Sequence, residues 1–542
     1  MANNPDNGSA VERQLTRLVV PFWYGLNYEQ AEEALSGVKL INKKGDAIPV
    51  WKRGTIAANH LFQNISRLID SSNTNDEHNE TIGKRFVFET TARLKFGLPN
   101  SISTMMTLKI KESKQALVTV SGIELYLFET QVGMVVLELK HPEHCTVEQL
   151  IETNYYCKKL NIDTALSFYP KGPDGEPAEV KLNEICLKLV NELGPVEFFE
   201  KDKEEKAVQA NNVPEESDNL KILPKPSNAL VYSAVLLDAG FTGRPGWPEL
   251  LKQYLFRLRR SFKESYKPAE KEFRLESNPE IAQMFENSFW GVSLEGMTNL
   301  LHLVDDAQTN AFMRGNYFGN LSGTYFFLYI LAIHQRYALL RFAIEASQLP
   351  KSKHLGSQQI AEMRQRIANF SFRCLFRQVS NITHQAKLYN MLRQVLGIED
   401  LMEELHYELE VLSSLAESDQ NKRRMLLKEQ EEKEKEAEAK EKDALDKQDN
   451  YFKSMFTVLT AIFIGLNTSS TVYGFFKNEV RPLIPHYYLY VLALSIIAIW
   501  LGVSYPTLRF LRHLQRARKP GKRSETSASL PQQFQQDRGL HF

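Results

Sequence analysis

The spacing of apolar residues changes several times along this chain. Within the first 195 residues, RFVFETTARLKF, MMTLKIKES, ALVTVSGIELYLFET and GMVVLELKH are rich in β-branched and aromatic residues with partial alternation, which predicts strands, and TVEQLIETNYYCKKLN returns to helical spacing. A mixed α/β domain is therefore expected over 1–195. From Glu200 to Pro226 apolar density falls while proline and charge accumulate, so 196–227 reads as a linker or surface insertion. NALVYSAVLLDAGF then predicts a buried strand, and Gly323 to Ser347 a long apolar helix. His334, Arg336, Arg341 and Glu345 leave that helix no charge-free window of useful length, so a core helix is expected rather than a membrane span. The region 228–397, mixed α/β and helical, closes at the helix stop Gly397.

Beyond Gly397 neither proline nor glycine interrupts the pattern before Ser454, which predicts a long helix over 398–453. Its KEQEEKEKEAEAKEKDALDK portion carries charge on every face and cannot pack in a core, so a solvated, rigid stalk is expected. Two charge-free stretches follow, 454–476 and 486–508, joined by the short segment 477–485. Each is long enough at about 1.5 Å per residue to cross a hydrocarbon core of about 30 Å, and together they predict a transmembrane helical hairpin. Arg509, Arg512, Arg516, Arg518, Lys519, Lys522 and Arg523 make 509–542 a basic tail. By the positive-inside rule the C-terminus is cytoplasmic, and two spans place the N-terminus there too, giving a multi-pass protein of the cytoplasmic (inner) membrane in contact with lipid.

Within the first expected span Thr457, Thr460, Ile464, Asn467, Thr471 and Gly474 follow steps of three and four, a seam at the spacing of a left-handed bundle. Thr468, Ser469 and Ser470 fall off it and are expected to bond back to the carbonyl one turn earlier. Formal net charge is zero, with 43% hydrophobic and 24% charged residues, so no global field argues for direct nucleic-acid binding. The four cysteines show no framework spacing and read as reduced thiols, and the N-terminus has no apolar signal core, so the first 450 or so residues are expected to stay cytosolic.

A large cytosolic α/β region, a very long stalk helix, a tiny loop between two spans and a basic tail together resemble the CorA family of divalent-cation transporters, over about Asn228 to Lys522. Phe376 to Leu412 looks like that family's passage into its stalk. The resemblance implies an α+β chain assembled as a pentameric CorA-like funnel, with the polar seam lining a central pore. The family carries Tyr-Gly-Met-Asn at the outer end of the first span; this chain has Tyr473, Gly474, Phe475 and Phe476 there. A CorA-like chain lacking the signature resembles the membrane effectors of some type III CRISPR systems. That likeness implies an ion channel gated from the cytosol by a nucleotide messenger, such as an adduct of S-adenosylmethionine with AMP, in antiviral defence. The alternatives are a Mg²⁺ transporter with an atypical mouth and a non-conducting, membrane-tethered signalling scaffold.

An anionic, adenine-bearing ligand calls for cations beside aromatics, and Arg244, Trp247, Tyr254, Arg257, Arg260 and Lys263 are the candidate binding residues. The alternative is an amphipathic helix with aromatics in the core and cations in water. HPEHC, His141 to Cys145, with Cys157 fits no common zinc spacing. No phosphate-binding loop, dinucleotide turn or nucleophile elbow occurs, so no catalytic residue is assigned and an enzyme is not expected.

Overall fold

The computed structural model describes residues 9–475, apart from 42–44, 57, 67, 70–80, 100, 111–113, 161–165, 169–177, 200–224, 264, 276 and 350–356, and only isolated positions beyond 489. The chain forms two compact units, Met1–Ser418 and Asp419–Phe542.

In the first unit one sheet organises everything else. Its principal strands are β1 (Val11–Tyr24), β2 (Gly83–Phe88), β3 (Met106–Ile110), β4 (Lys114–Phe128), β5 (Val132–Lys140), β6 (Leu230–Leu237), β7 (Ile281–Phe285), β8 (Ser288–Ser293) and β9 (Gly296–Leu301). Their order is β3-β4-β5-β1-β6-β9-β8-β7, with β2 also paired to β4. Only the β6–β9 pair among these is parallel. Residues 1–195 and 228–397, expected as separate regions, thus share one sheet through the pairing of β1 with β6.

Both faces of the sheet are covered, and side-chain alternation feeds two cores. Leu15 and Val19 of β1, Tyr126 and Phe128 of β4, and Tyr232 and Ala234 of β6 point to one. Leu18, Val20 and Phe22, with Leu125 and Leu127, point to the other. The first face is covered by α3 (Thr324–Gln348), after α1 (Val147–Lys158) and α2 (Trp247–Arg260), which lie on the opposite face. The expected core helix is α3. It is buried almost all round, and some of its polar groups find partners inside: His334 stacks on Phe128 at 3.9 Å and meets Thr130 Oγ1 at 2.9 Å. Burial pushes the His334 imidazole down to about 3, so it sits there neutral. Arg341 donates to the Thr130 carbonyl at 2.7 Å. The helices α4 (Ser357–Cys374) and α5 (Thr383–Val395) pack against α3, where Gln335 donates to the Tyr389 hydroxyl at 2.7 Å.

Two part-buried ion pairs cross the sheet beneath α3. Arg17 donates to Glu138 at 2.9 Å and lies 4.3 Å from the Phe326 ring centroid. Arg85 grips Glu124 through two bonds of 2.9 and 2.6 Å, and the Tyr126 hydroxyl adds a third at 2.7 Å. Burial alone would raise the Glu124 carboxyl; the hydrogen bonds from Arg85, the charges of Arg17 and Arg85 and the Tyr126 bond more than offset it and hold the group below its ordinary value.

The final helix, α6 (Ile398–Phe475), is 78 residues long. Leu405, Leu409, Leu412 and Ala416 are buried in the first unit's core. In the second unit its charged stretch makes i,i+4 pairs, including Lys433–Glu429 and Lys447–Asp443, both at 2.6 Å. The expected stalk is therefore helical, but the expected membrane hairpin is not found: no helix among the described residues is long and apolar enough to cross a membrane. Absence of charge is not apolarity. Between Ser454 and Phe475, Thr457, Thr460 and the run Asn467 to Thr471 dilute the apolar residues with hydrogen-bonding groups. The loop 477–485 and most of 486–508 lie outside the described residues. The hairpin, the CorA-like funnel built on it and the multi-pass inner-membrane placement are corrected accordingly.

Because Glu124 is depressed in the folded chain, its stabilising contribution is complete above the ordinary carboxylate value and is lost as pH falls through the folded value. Glu124→Gln should flatten the acid limb of stability against pH and cost about 2 kcal/mol at neutral pH, since it leaves half-buried Arg85 without its counter-charge. Denaturant titrations from about pH 3 to about pH 7, across the carboxylate range, check both effects; an unchanged slope would remove this role for the pair.

Candidate functional site

The six expected binding residues lie on or beside α2. A glycine at 246, with φ +72°, turns the chain into the helix, and Pro248 follows in its first turn. Leu251, Leu255 and Leu258 face the sheet, so the amphipathic alternative accounts for the apolar half of the segment. At about 1.5 Å per residue the helix separates Trp247 from Arg260 by roughly 20 Å, and the six do not form one site.

Three of them are held by the start of α1 and its surroundings. Tyr254 is buried, its hydroxyl bonded to Ser9 Oγ at 3.0 Å and to the Glu148 carboxylate. Burial, then the Glu148 bond, raise its phenol well above the usual tyrosine range. Arg244 donates to the same Ser9 hydroxyl at 3.2 Å and faces Asp238 at 3.9 Å. Trp247 packs edge-on to His302 with centroids 5.3 Å apart. These are structural contacts.

Arg260, singled out as an anion contact, is already paired. Its guanidinium reaches Glu280 at 2.7 Å and Glu272 at 3.6 Å. The neighbouring Arg259, wholly buried, joins the same two carboxylates, at 2.9 Å to Glu280. Two cations and two anions balance. Arg257 is half-buried, and its carbonyl accepts the Phe262 N–H at 3.0 Å in the turn that ends the helix.

That turn builds the site that remains. Ser261 adopts φ +50°, the left-handed conformation that ends many helices, and redirects the chain so that Phe262 and Lys263 meet the end of α1. α1 is started by a capping box between Thr146 and Gln149 and ends with Tyr155, Tyr156, Lys158 and Lys159. Lys263 donates to the Tyr156 hydroxyl at 2.7 Å, with its ammonium 4.6 and 4.5 Å from the Tyr155 and Tyr156 ring centroids. Lys159 donates to the Tyr155 hydroxyl at 2.6 Å. Lys158 donates to the Arg260 carbonyl at 2.9 Å, a cation placed at the negative end of α2. Half-exposed Tyr266 lies against Phe262 at 4.8 Å. Three ammonium groups therefore gather among four aromatic rings, and Lys159 and Lys263 donate to phenol hydroxyls. The Tyr156 bond raises Lys263 from its ordinary value, against a smaller lowering by desolvation.

Of the six expected residues, only Lys263 belongs to this cluster through its side chain. Tyr155, Tyr156, Lys158 and Lys159 were missed as site residues although the run YYCKK is legible; nothing local connects it to Lys263. Elsewhere, the seam hydroxyls of Thr457, Thr460 and Thr471 bond the carbonyl four residues earlier at 2.8, 2.7 and 2.8 Å, as Thr468 does at 2.6 Å. The back-bonding expected only off the seam also occupies the seam. Ile464 is exposed, Asn467 is exposed and Gly474 half-buried on the same helix, whereas the side chains of Tyr473 and Phe475, and all of Phe476, lie outside the described residues. Among the described residues no group of three His, Cys, Asp or Glu side chains is placed to hold a metal ion. No family model matches the chain, and no curated protein or solved structure does either.

Tyr156→Phe removes the bond that raises Lys263 and should make that amine acylate severalfold faster at fixed pH, because more of it is then neutral. Mass-spectrometric labelling rates at Lys263, with Lys252 as an internal reference, read this directly; an unchanged rate would show that the phenol does not control the ammonium.

Proposed function

We propose that this chain is a non-enzymatic ligand sensor that works as an assembly of its own copies. The ligand is a small anion carrying an aromatic ring, of the adenine-nucleotide class, and it binds the lysine and tyrosine face where α1 and α2 end. The observation that carries this reading is the convergence of Lys158, Lys159 and Lys263 with Tyr155, Tyr156, Phe262 and Tyr266. Phosphate oxygens accept charge-assisted bonds from the Lys159 and Lys263 ammonium groups, which otherwise donate to phenols, and the exposed Tyr266 ring offers a stacking surface. The balanced Arg259, Arg260, Glu272 and Glu280 group offers an anion much less.

Assembly is drawn from α6. Phe452, Phe456, Leu459, Phe463 and Leu466 are exposed and follow steps of four and three, the spacing at which helices pack into a left-handed bundle. They lie roughly a quarter-turn from the polar seam at about 100° per residue. Other copies of this helix are the matching cover. Conduction forms no part of the proposal.

Calorimetry on the full chain with AMP, ATP and the adenosylmethionine–AMP adduct tests the sensor. Saturable binding of at least one is expected, weakened at least tenfold by Lys159→Ala with Lys263→Ala, since each charge-assisted bond contributes about 1.5 kcal/mol or more. Binding by none, or binding indifferent to the double substitution, would sink this site. Phe456→Glu with Phe463→Glu should reduce the particle to a single chain in mass photometry while leaving ligand affinity within about twofold, a difference of about 0.4 kcal/mol; a wild-type particle of one chain would remove the assembly.

A further inference from the structure

The segment 357–397, which carries α4 and α5, holds six Lys and Arg residues against Glu362 alone, in a chain of zero formal net charge. Three of the six are neutralised from other elements: Arg366 by Glu345 at 2.7 Å, Arg373 by Glu129 at 2.7 Å and Arg393 by Glu399 at 2.6 Å. Among the described residues Arg364, Arg377 and Lys387 pair with no carboxylate, and Arg364 donates only to the Leu409 carbonyl, at 3.4 Å. α4 turns Ile360, Met363, Ile367 and Phe370 into the core. On its opposite side Ala361, Gln365, Ala368 and Phe372 are exposed and follow steps of four, three and four. Phe372 is 85% exposed, and the two alanines beside it leave room for a second helix to come close.

A surface of opposite charge lies on α6. From Lys428 to Asp449 ten acidic residues stand against six lysines. Pairs one turn apart join Glu429, Glu436 and Asp443 to Lys433, Lys440 and Lys447, and Asp449 to Lys453. Six acids then remain against Lys428, Lys435 and Lys442. Four of the six, Glu431, Glu434, Glu438 and Glu441, follow steps of three, four and three, and the next position of that stripe is Leu445, 59% exposed. The two surfaces thus have one make-up with opposite sign: surplus charge beside an uncovered apolar residue. Neither can satisfy itself, since like charges a turn apart repel and a phenylalanine or leucine is stabilised only by cover.

We propose that α4 of one copy docks on the stripe from Glu431 to Leu445 of a second copy's α6, with Phe372 against Leu445 and with Arg364, Arg377 and Lys387 supplying the positive side. The contact rests on the reading that the chain assembles with itself, and it adds a charge-matched surface to the apolar row further along the helix. The charges fix which surfaces meet, because a stripe of glutamates set against another copy's stripe would be repelled.

Full chains carrying Phe372→Cys and full chains carrying Leu445→Cys, co-expressed and oxidised, test the contact; both positions are exposed and the native cysteines are all buried, so neither change touches the core. A disulfide-linked pair of unlike chains should form, in severalfold higher yield than from either variant alone. Raising salt from about 0.05 M to about 0.5 M should lower that yield about fivefold by screening exposed charges. Arg364→Glu with Arg377→Glu on the first chain should do the same at low salt, and Glu438→Lys with Glu441→Lys on the second should restore the yield to within about twofold. An oligomer whose chains do not cross-link, or do so regardless of salt and charge reversal, would overturn this contact alone. So would a single-stranded oligonucleotide that binds the wild-type chain saturably, is lost with Arg364→Glu and Arg377→Glu, and leaves the cross-link unchanged. A wild-type particle of one chain in mass photometry would overturn the assembly and this contact together.

Discussion

The two-sided burial of one sheet is the constraint on which the rest of this molecule depends. β1 runs through its middle with β5 on one side and β6 on the other, and alternate side chains of all three enter opposite cores. A sheet of this kind has no face left for water, so each face must be covered along its length. α3 covers one and therefore has to be apolar all round. α2 covers part of the other and needs only one apolar side, whereas α1 is buried along most of its length. Charges on the sheet itself are then forced inside, which is why Arg17 and Arg85 each take a carboxylate within reach and why Glu124 is held ionised in spite of burial.

The same constraint sorts the cations of α2. Those that face back toward the β7–β8 hairpin are enclosed and must be neutralised, and Arg259 and Arg260 share two glutamates for that reason. Lys263 lies past the helix end, beyond the enclosed face, and can be held by a phenol because its charge still reaches solvent. A buried ammonium could not be left with so weak a partner. Position relative to the sheet, rather than residue type, separates the structural cations from those available to a ligand.

What could be read from the sequence follows the range of the interactions involved. Strands such as β4, β5 and β6 and the all-apolar α3 are local patterns, and periodicity exposes them. The capping box at Thr146 is local as well. The pairing of β1 with β6 joins residues more than two hundred positions apart, and no period records it, so a division into two α/β regions looked natural where the chain forms one sheet. Ser261 in the left-handed conformation gave no signal either, since serine is not a usual marker for that turn. Without that turn YYCKK and Lys263 remain two unrelated fragments of sequence. The arginines of α2 were legible as cations, but their glutamates, Glu272 and Glu280, become partners only when the following segment folds back.

The end of α6 shows where charge counting and polarity part company. A stretch without charged residues still contains Thr457, Thr460, Asn467 and the hydroxyl residues after it, and each hydroxyl needs a partner wherever it is placed. Four threonines supply that partner from their own helix, by bonding to the preceding turn. A hydroxyl satisfied this way makes no demand for water beside it, so a polar seam on a helix is not by itself the wall of an aqueous path. The apolar row Phe452, Phe456, Leu459, Phe463 and Leu466 has no comparable internal remedy, because a phenylalanine or leucine is stabilised only by being covered. The two stripes share the same three-and-four spacing, so what separates them is not their period but the need to be covered, and that need is stronger on the apolar one.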